Sequence, residues 1–208
     1  MKKHPYIAVT GTMGVGKSTA AALLATRLGY TLVSENFGDN LFLARFYKDM
    51  KRWAFHSQTF FLMEKISQMM NTKKLLTTSS VIQDTPIEQD AYSYARAHVE
   101  MGNIDEAEWE LYEKILKTFA PVLPKPTLIV SLEAPMSVIA KRIEDRGRGF
   151  EKSVPLSYLK RLQHLNSVWI DVIDRHTKVI HIDTSHLDIV SNERDQASFV
   201  ARVTEALS

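Results

Sequence analysis

One eight-residue stretch, Gly11-Thr12-Met13-Gly14-Val15-Gly16-Lys17-Ser18, limits what this chain can fold into more than any other. It fits the pattern G-x-x-x-x-G-K-[ST], and Thr19 follows it. Before it, Tyr6-Ile7-Ala8-Val9-Thr10 is a short apolar run that reads as a buried strand. After it, residues 19–28 read as a helix with Ala20, Leu23, Leu24 and Leu28 on one face. Strand, glycine-rich turn and helix in that order make a cradle for polyphosphate. The glycines let backbone N–H groups turn inward, and the helix N-terminus adds its positive end. Residues Gly11, Thr12, Met13, Gly14, Val15, Gly16 and Thr19 would line the cradle. Lys17 would reach the β- and γ-phosphates, and the Ser18 hydroxyl would ligate Mg²⁺. The implied ligand is a nucleoside triphosphate. The loop does not say what is done with it.

The remaining pattern alternates. Residues 30–33, 81–84, 127–132 and 178–182 are predicted strands. Helices are predicted at 40–47, 51–74, 90–101, 105–119, 156–174 and 195–207, with one more opened by Pro135 and running into the arginines that follow. Such alternation implies one α/β domain over residues 1–208, a parallel sheet covered by helices on both sides. The expected fold is the three-layer α/β/α P-loop NTPase with a five-stranded parallel sheet. The 51–74 helix carries Trp53, Phe55, Phe60, Phe61, Leu62, Met63, Ile66, Met69 and Met70. A helix so apolar on most faces is expected to be buried on two sides, against the sheet and against a partner helix or a second subunit.

Composition removes several classes. A formal net charge of +2 over 208 residues implies neither a nucleic-acid polymer nor a membrane partner. There is no cysteine, which excludes disulfides and thiolate chemistry. No apolar run approaches the ~18 residues of a membrane span, and Met1-Lys2-Lys3-His4-Pro5 enters the first strand too soon for a signal peptide. A cytoplasmic protein is expected. His176, His181 and His186 recur at five-residue intervals, which does not match a helical metal pair.

Phosphoryl transfer needs a phosphate cradle, a metal, positive charge on the moving group and a base to orient the nucleophile. Arg142, Arg146 and Arg148 stand beside Gly147 and Gly149, which suggests a flexible flap carrying guanidinium groups suited to phosphate oxygens. They equally suit a basic turn at a helix C-terminus. Glu35, just past the second strand, is a candidate base or a helix cap. Asp84, at the end of the third strand, is a candidate Mg²⁺ ligand, directly or through water, or a turn-forming Asp before Thr85-Pro86.

The spacing of these pieces resembles the deoxynucleoside kinases, the group containing deoxycytidine, deoxyguanosine and deoxyadenosine kinases, over nearly the whole chain. The resemblance rests on Glu35 past the second strand, on Phe46-Tyr47-Lys48-Asp49, and on Trp53, Phe55 and the Gln58-Thr59 pair. It rests further on Arg142-x-x-x-Arg146-Gly147-Arg148-x-x-Glu151 and on Pro155-Leu156-x-Tyr158-Leu159. It implies ATP and Mg²⁺ as cofactors and an Arg-rich lid at about 142–154. Glu35 would accept the proton of the nucleoside 5′-hydroxyl. Tyr47 and Glu151 would hold the sugar 3′-hydroxyl. Gln58 and Asp90 would read the base, and Trp53 and Phe55 would wall the base or sugar. Arg146 and Arg148 would clamp the donor phosphates and the transferring group, with Lys17 in the loop. A homodimer paired through the 51–74 helix is expected.

Two positions depart from the family pattern. After the third strand the family carries Glu/Asp-Arg-Ser/Thr, and here Asp84-Thr85-Pro86 lacks the Arg. Two helical turns past Gln58, where many relatives have an Arg that assists base recognition, stands Lys65, which keeps the charge without the bidentate fork. Alternative readings are a thymidylate-like nucleoside monophosphate kinase and a non-catalytic nucleotide-binding regulator. The first needs an Arg for a second phosphate at the strand ends that Glu35 and Asp84 occupy.

Overall fold

The computed structural model describes residues 4–35, 40–147 and 154–207. Five strands, β1 (Tyr6–Thr10), β2 (Thr31–Val33), β3 (Val81–Asp84), β4 (Leu128–Glu133) and β5 (Val179–Asp183), form one parallel sheet in the order β2-β3-β1-β4-β5. The strand that feeds the glycine-rich loop is therefore central. It is buried along its whole length, as a strand covered on both faces must be.

The period-2 pleat sorts its residues between two layers. Ile7 and Val9 pack with Ile82, Leu128 and Val130 against Ala20 and Leu24 of α1 (Lys17–Leu28), Ile139 of α7 (Met136–Arg146) and Phe199 of α9 (Glu193–Leu207). Ala8 and Ile129 face the other way, onto Trp169 and Ile170 of α8 (Leu156–Ile173). A third cluster joins Leu62, Ile66 and Met69 of α3 (Met50–Leu75) to Ile87 of α4 (Ile87–Gln89), to Ala91 and Ala95, and to Tyr112 and Leu116 of α6 (Glu106–Phe119). The expected three-layer fold is present, with each predicted strand within one or two residues of its place.

Local chemistry sets several boundaries. Asp49 caps α3, its side chain accepting from the Arg52 N–H at 3.1 Å, which stops α2 (Leu43–Lys48) and starts a 26-residue helix. Asp105 and Glu108 form a reciprocal capping box at the start of α6.

Two expectations change. The predicted 90–101 helix begins earlier, and its middle, Asp90–Ala95, is a π-helical turn between α4 and α5 (Arg96–Glu100). Hydropathy periodicity does not separate π from α turns over six residues. The 51–74 helix is not apolar all round. Its buried face mixes Leu62, Ile66 and Met69 with Ser57, Gln58, Lys65 and Thr72, while Met63 and Met70 are exposed.

Candidate active site

The C-terminal ends of the strands bring the chemistry together, as in open parallel sheets generally. Val9 pairs with Asp84 and Val33 with Gln83, so the loop after β1, Glu35 beyond β2, and Asp84 at the tip of β3 open on one edge. The loop closes tightly there. Gly11 has φ +141°, and a Cβ on it would stand 2.5 Å from the Leu132 carbonyl oxygen. Only glycine lets the chain pass β4 this closely. Gly16, also at positive φ, hands the chain to α1, so the first N–H groups of that helix are left for a ligand. Lys17 is buried, and its ammonium donates to the carbonyls of Gly11 (2.9 Å) and Thr12 (3.4 Å). Burial lowers its pKa, opposed by Asp84, Glu35 and Asp90 and reinforced by Arg146.

In front of the loop lies a cavity of about 590 Å³. Met13 to Thr19 line one part of it, and Glu35, Tyr47, Gln58 and Asp90 line it as well. Arg142 and Arg146 border it from α7. Lys65, on the same helix as Gln58 and seven residues on, lies 3.6 Å from Glu35 and 4.0 Å from Asp90. Its Nζ also donates to the carbonyl oxygens of Asp84 (3.1 Å) and Thr85 (2.7 Å). Burial would lower the Lys65 pKa, but Glu35, Asp90 and Asp84 outweigh it and the pKa is raised. Asp90 is raised well above the ordinary carboxylate range, first by burial and then by Glu35 and Asp84, against the pull of the two lysines. Its Oδ2 has no hydrogen-bond partner among the described residues. A buried polar atom without a partner costs free energy, which makes Asp90 a candidate contact for a ligand.

The structure places the sequence-predicted residues unevenly. Gly14, Val15, Gly16, Lys17, Ser18 and Thr19 line the cavity together with Glu35, Tyr47, Gln58, Asp90, Arg142 and Arg146. Gly11, at the start of the loop, passes against Leu132 of β4, and Thr12 lines a second cleft beside β4 rather than this cavity. Asp84 is buried at the strand tip, accepting from the Thr85 hydroxyl at 3.2 Å. Trp53 and Phe55 do not line the cavity, contrary to expectation. Trp53 stacks on Phe42 and lies under the guanidinium groups of Arg45 and Arg52, and Phe55 fills the apolar cluster beside Trp109. Arg142 is not a mobile charge either. It donates to the Val15 carbonyl (3.0 Å) and to the Thr184 hydroxyl and carbonyl (2.9 and 2.7 Å), strapping α7 to the phosphate loop and to the turn after β5. Arg148 and Glu151 lie outside the described residues.

Sequence reasoning missed the aromatic walls Phe46, Phe61, Tyr94 and Tyr158 and the segment 187–190. Phe61 stands one helical turn after Gln58, a spacing that places both on one face of α3 and was legible. Tyr94 depends on the π-helical turn that carries Asp90, which was not.

These placements bear on a comparison with known proteins. The model of the deoxynucleoside kinase family matches residues 7–208. The chain belongs to the deoxynucleoside kinase family. It is a kinase, and the acceptors of this family are deoxynucleosides. The chain is 30% identical to the deoxyguanosine kinase of Bacillus subtilis strain 168 over 210 residues, covering all of both. It is 28% identical to the deoxyadenosine/deoxycytidine kinase of the same organism, over 99% of this chain and 94% of that one. Among solved structures, deoxyadenosine kinase from M. mycoides with products dCMP and a flexible dCDP bound superposes with a TM-score of 0.84 at 22% identity, over 96% and 99% of the two chains. That likeness bears out the fold class. Among the described residues no helix is long and apolar enough to cross a membrane.

Proposed function

We propose that this kinase transfers the γ-phosphoryl group of ATP to the 5′-hydroxyl of a deoxyribonucleoside, with Glu35 as the base. The observation that carries the reading is the single cavity lined both by the phosphate loop and by Glu35, Gln58 and Asp90. Glu35 takes the 5′-hydroxyl proton as the O5′–Pγ bond forms and the bond from Pγ to the bridging oxygen of ADP breaks. Lys17 and Arg146 balance the charge on the phosphoryl oxygens. A magnesium ion would be held by the Ser18 hydroxyl in the loop and, directly or through water, by the Asp84 carboxylate, whose charge acts on Lys17. When bound, it neutralises phosphate charge. Gln58 presents an amide donor and acceptor to the base edge, and Asp90 Oδ2 accepts a base N–H. Phe61 and Tyr94 supply flat apolar faces beside them.

Arg148 and Glu151 complete the reading, Arg148 on the phosphates and Glu151, with Tyr47, on the 3′-hydroxyl. One kinase domain spans 1–208, and of the expected lid at 142–154 the part that moves begins after Arg142, which is tied to the phosphate loop and Thr184. We also read the chain as a cytoplasmic homodimer paired along α3, where Met63 and Met70 are exposed. The test is a steady-state screen of the four deoxynucleosides with Mg·ATP and identification of the product. A 5′-monophosphate from at least one of them is expected. Turnover on none, or on dTMP alone, would overturn the reading.

A further inference from the structure

We infer that Lys65 is the positioning residue for Glu35, its ammonium holding the carboxylate in place from the strand end that Thr85 leaves without a cation. The inference rests on the reading of Glu35 as base. Lys65 is 2% exposed and comes from the buried face of α3. A lysine placed there for packing alone would carry its charge into the interior at high cost. Here the charge has a specified address. Two carbonyl oxygens at the tip of β3, those of Asp84 and Thr85, fix Nζ at 3.1 and 2.7 Å. The remaining direction of the ammonium is taken by Glu35 Oε1 at 3.6 Å, with Asp90 Oδ2 farther off at 4.0 Å.

The backbone turn that makes this anchor is itself unusual. Thr85 has φ +58°, the one non-glycine residue at positive φ among those described, and it is completely buried. A β-branched residue avoids that region unless the surroundings hold it there. Its N–H stays bonded to the Val9 carbonyl at 3.0 Å, so the twist is spent after the sheet ends, where it turns two successive carbonyls toward one point. Lys65 occupies that point. In the family pattern an Arg at position 85 supplies the cation near the 5′-hydroxyl and the base. Here a lysine of α3 stands 3.6 Å from the Glu35 carboxylate. Among the described residues, Lys17, Asp84, Asp90, Tyr94, Tyr112 and Arg146 interact electrostatically with members of this cluster, with Tyr47 and Tyr158 beside Tyr94.

A double-mutant cycle tests it, using Lys65→Gln, which keeps amide donors for the two carbonyls while removing the charge. Lys65→Met, apolar and of similar length, runs beside it, so that one folded variant carries the cycle. Each is made alone and with Glu35→Gln, and kcat, nucleoside KM, ATP affinity and melting temperature are measured. Lys65→Gln is expected to lower kcat about 50-fold, within the range for a lost acid–base contribution, with KM and ATP affinity within threefold. Lys65→Arg is expected to stay within about fivefold of the starting kcat. In the Glu35→Gln background, loss of Lys65 is expected to cost less than threefold, since residues that act as a unit are not additive. A kcat within threefold in the first background, or an equal loss in both, would overturn the assignment of Lys65. If Glu35→Gln itself turned over normally, the reading of Glu35 would fall instead.

Discussion

Gly11→Ala puts the closest backbone approach of the site under test. Two costs act on the new methyl. At φ +141° an alanine sits in a region open to glycine, costing about 1–3 kcal/mol. The Cβ would also stand 2.5 Å from the Leu132 carbonyl oxygen and 2.8 Å from Val15 Cγ1. Leu132 belongs to β4, which is paired to both β1 and β5, so the carbonyl cannot swing away. Relief must come from the loop, at roughly 1–3 kcal/mol for an overpacked contact. About 3–4 kcal/mol in all corresponds to a melting temperature about 10 °C lower for a chain of this size. Because the relief displaces the phosphate loop, ATP affinity is expected to fall at least about tenfold, or about 1.4 kcal/mol. Gly29→Ala is the internal control. Gly29 has φ +67° with nothing within 4 Å of its Cβ, so it carries a conformational cost of about 1 kcal/mol and no collision. Thermal melts and ATP titrations of the two variants separate the effects. If Gly11→Ala melted no lower than Gly29→Ala and bound ATP normally, the reasoning from close approach would be refuted.

Other outcomes follow from the same geometry. His98 is buried between Tyr158 and Asn103, and burial lowers its pKa to about 4. Between the ordinary value near 6.5 and 4 the unfolded chain holds a proton that the native state does not, so stability rises with pH across that window and is level above it. Urea unfolding at pH 5 should give about 2 kcal/mol less stability from this group than at pH 7.5, and His98→Gln should remove that part of the slope. Arg142→Ala deletes three donated hydrogen bonds between α7, the phosphate loop and Thr184, and should lower the melting temperature by about 5 °C and weaken ATP binding several-fold. Trp53→Leu should leave nucleoside KM within threefold, because Trp53 packs on Phe42 and Arg45 outside the cavity; a tenfold rise would restore it to the substrate wall.

The parts of the site that were legible in the sequence are those whose chemistry is tied to a chain position. The phosphate loop announces itself because glycine and lysine spacing is dictated by a phosphate. Glu35 follows from a strand end, since every parallel strand presents its C-terminal end to the same edge, while Asp84, at such an end too, is buried and not part of the cavity lining. Gln58 and Tyr47 came through the family resemblance, and the cavity includes both. The aromatic residues that line the cavity differ from those the sequence pointed to, because a Trp or Phe on a half-buried helix serves a ligand wall and a core equally well, and only packing separates them. Trp53 and Phe55 pack, half-buried, against apolar clusters, while Phe61 and Tyr94 line the cavity. Arg142 was read as mobile because its partners are carbonyl groups, which no sequence pattern reports. The Lys65 contacts were hidden for the same reason. They depend on a twist at Thr85 that neither propensity nor periodicity predicts.

The central claim is that Glu35 removes the proton from a nucleoside hydroxyl in front of an ATP-loaded phosphate loop. Single-turnover phosphorylation by Glu35→Gln, measured on the best deoxynucleoside alongside direct ATP binding, addresses it most directly. The account predicts a rate at least about a hundredfold lower with ATP affinity within threefold of the starting protein. A rate within threefold, with ATP bound as before, would contradict it.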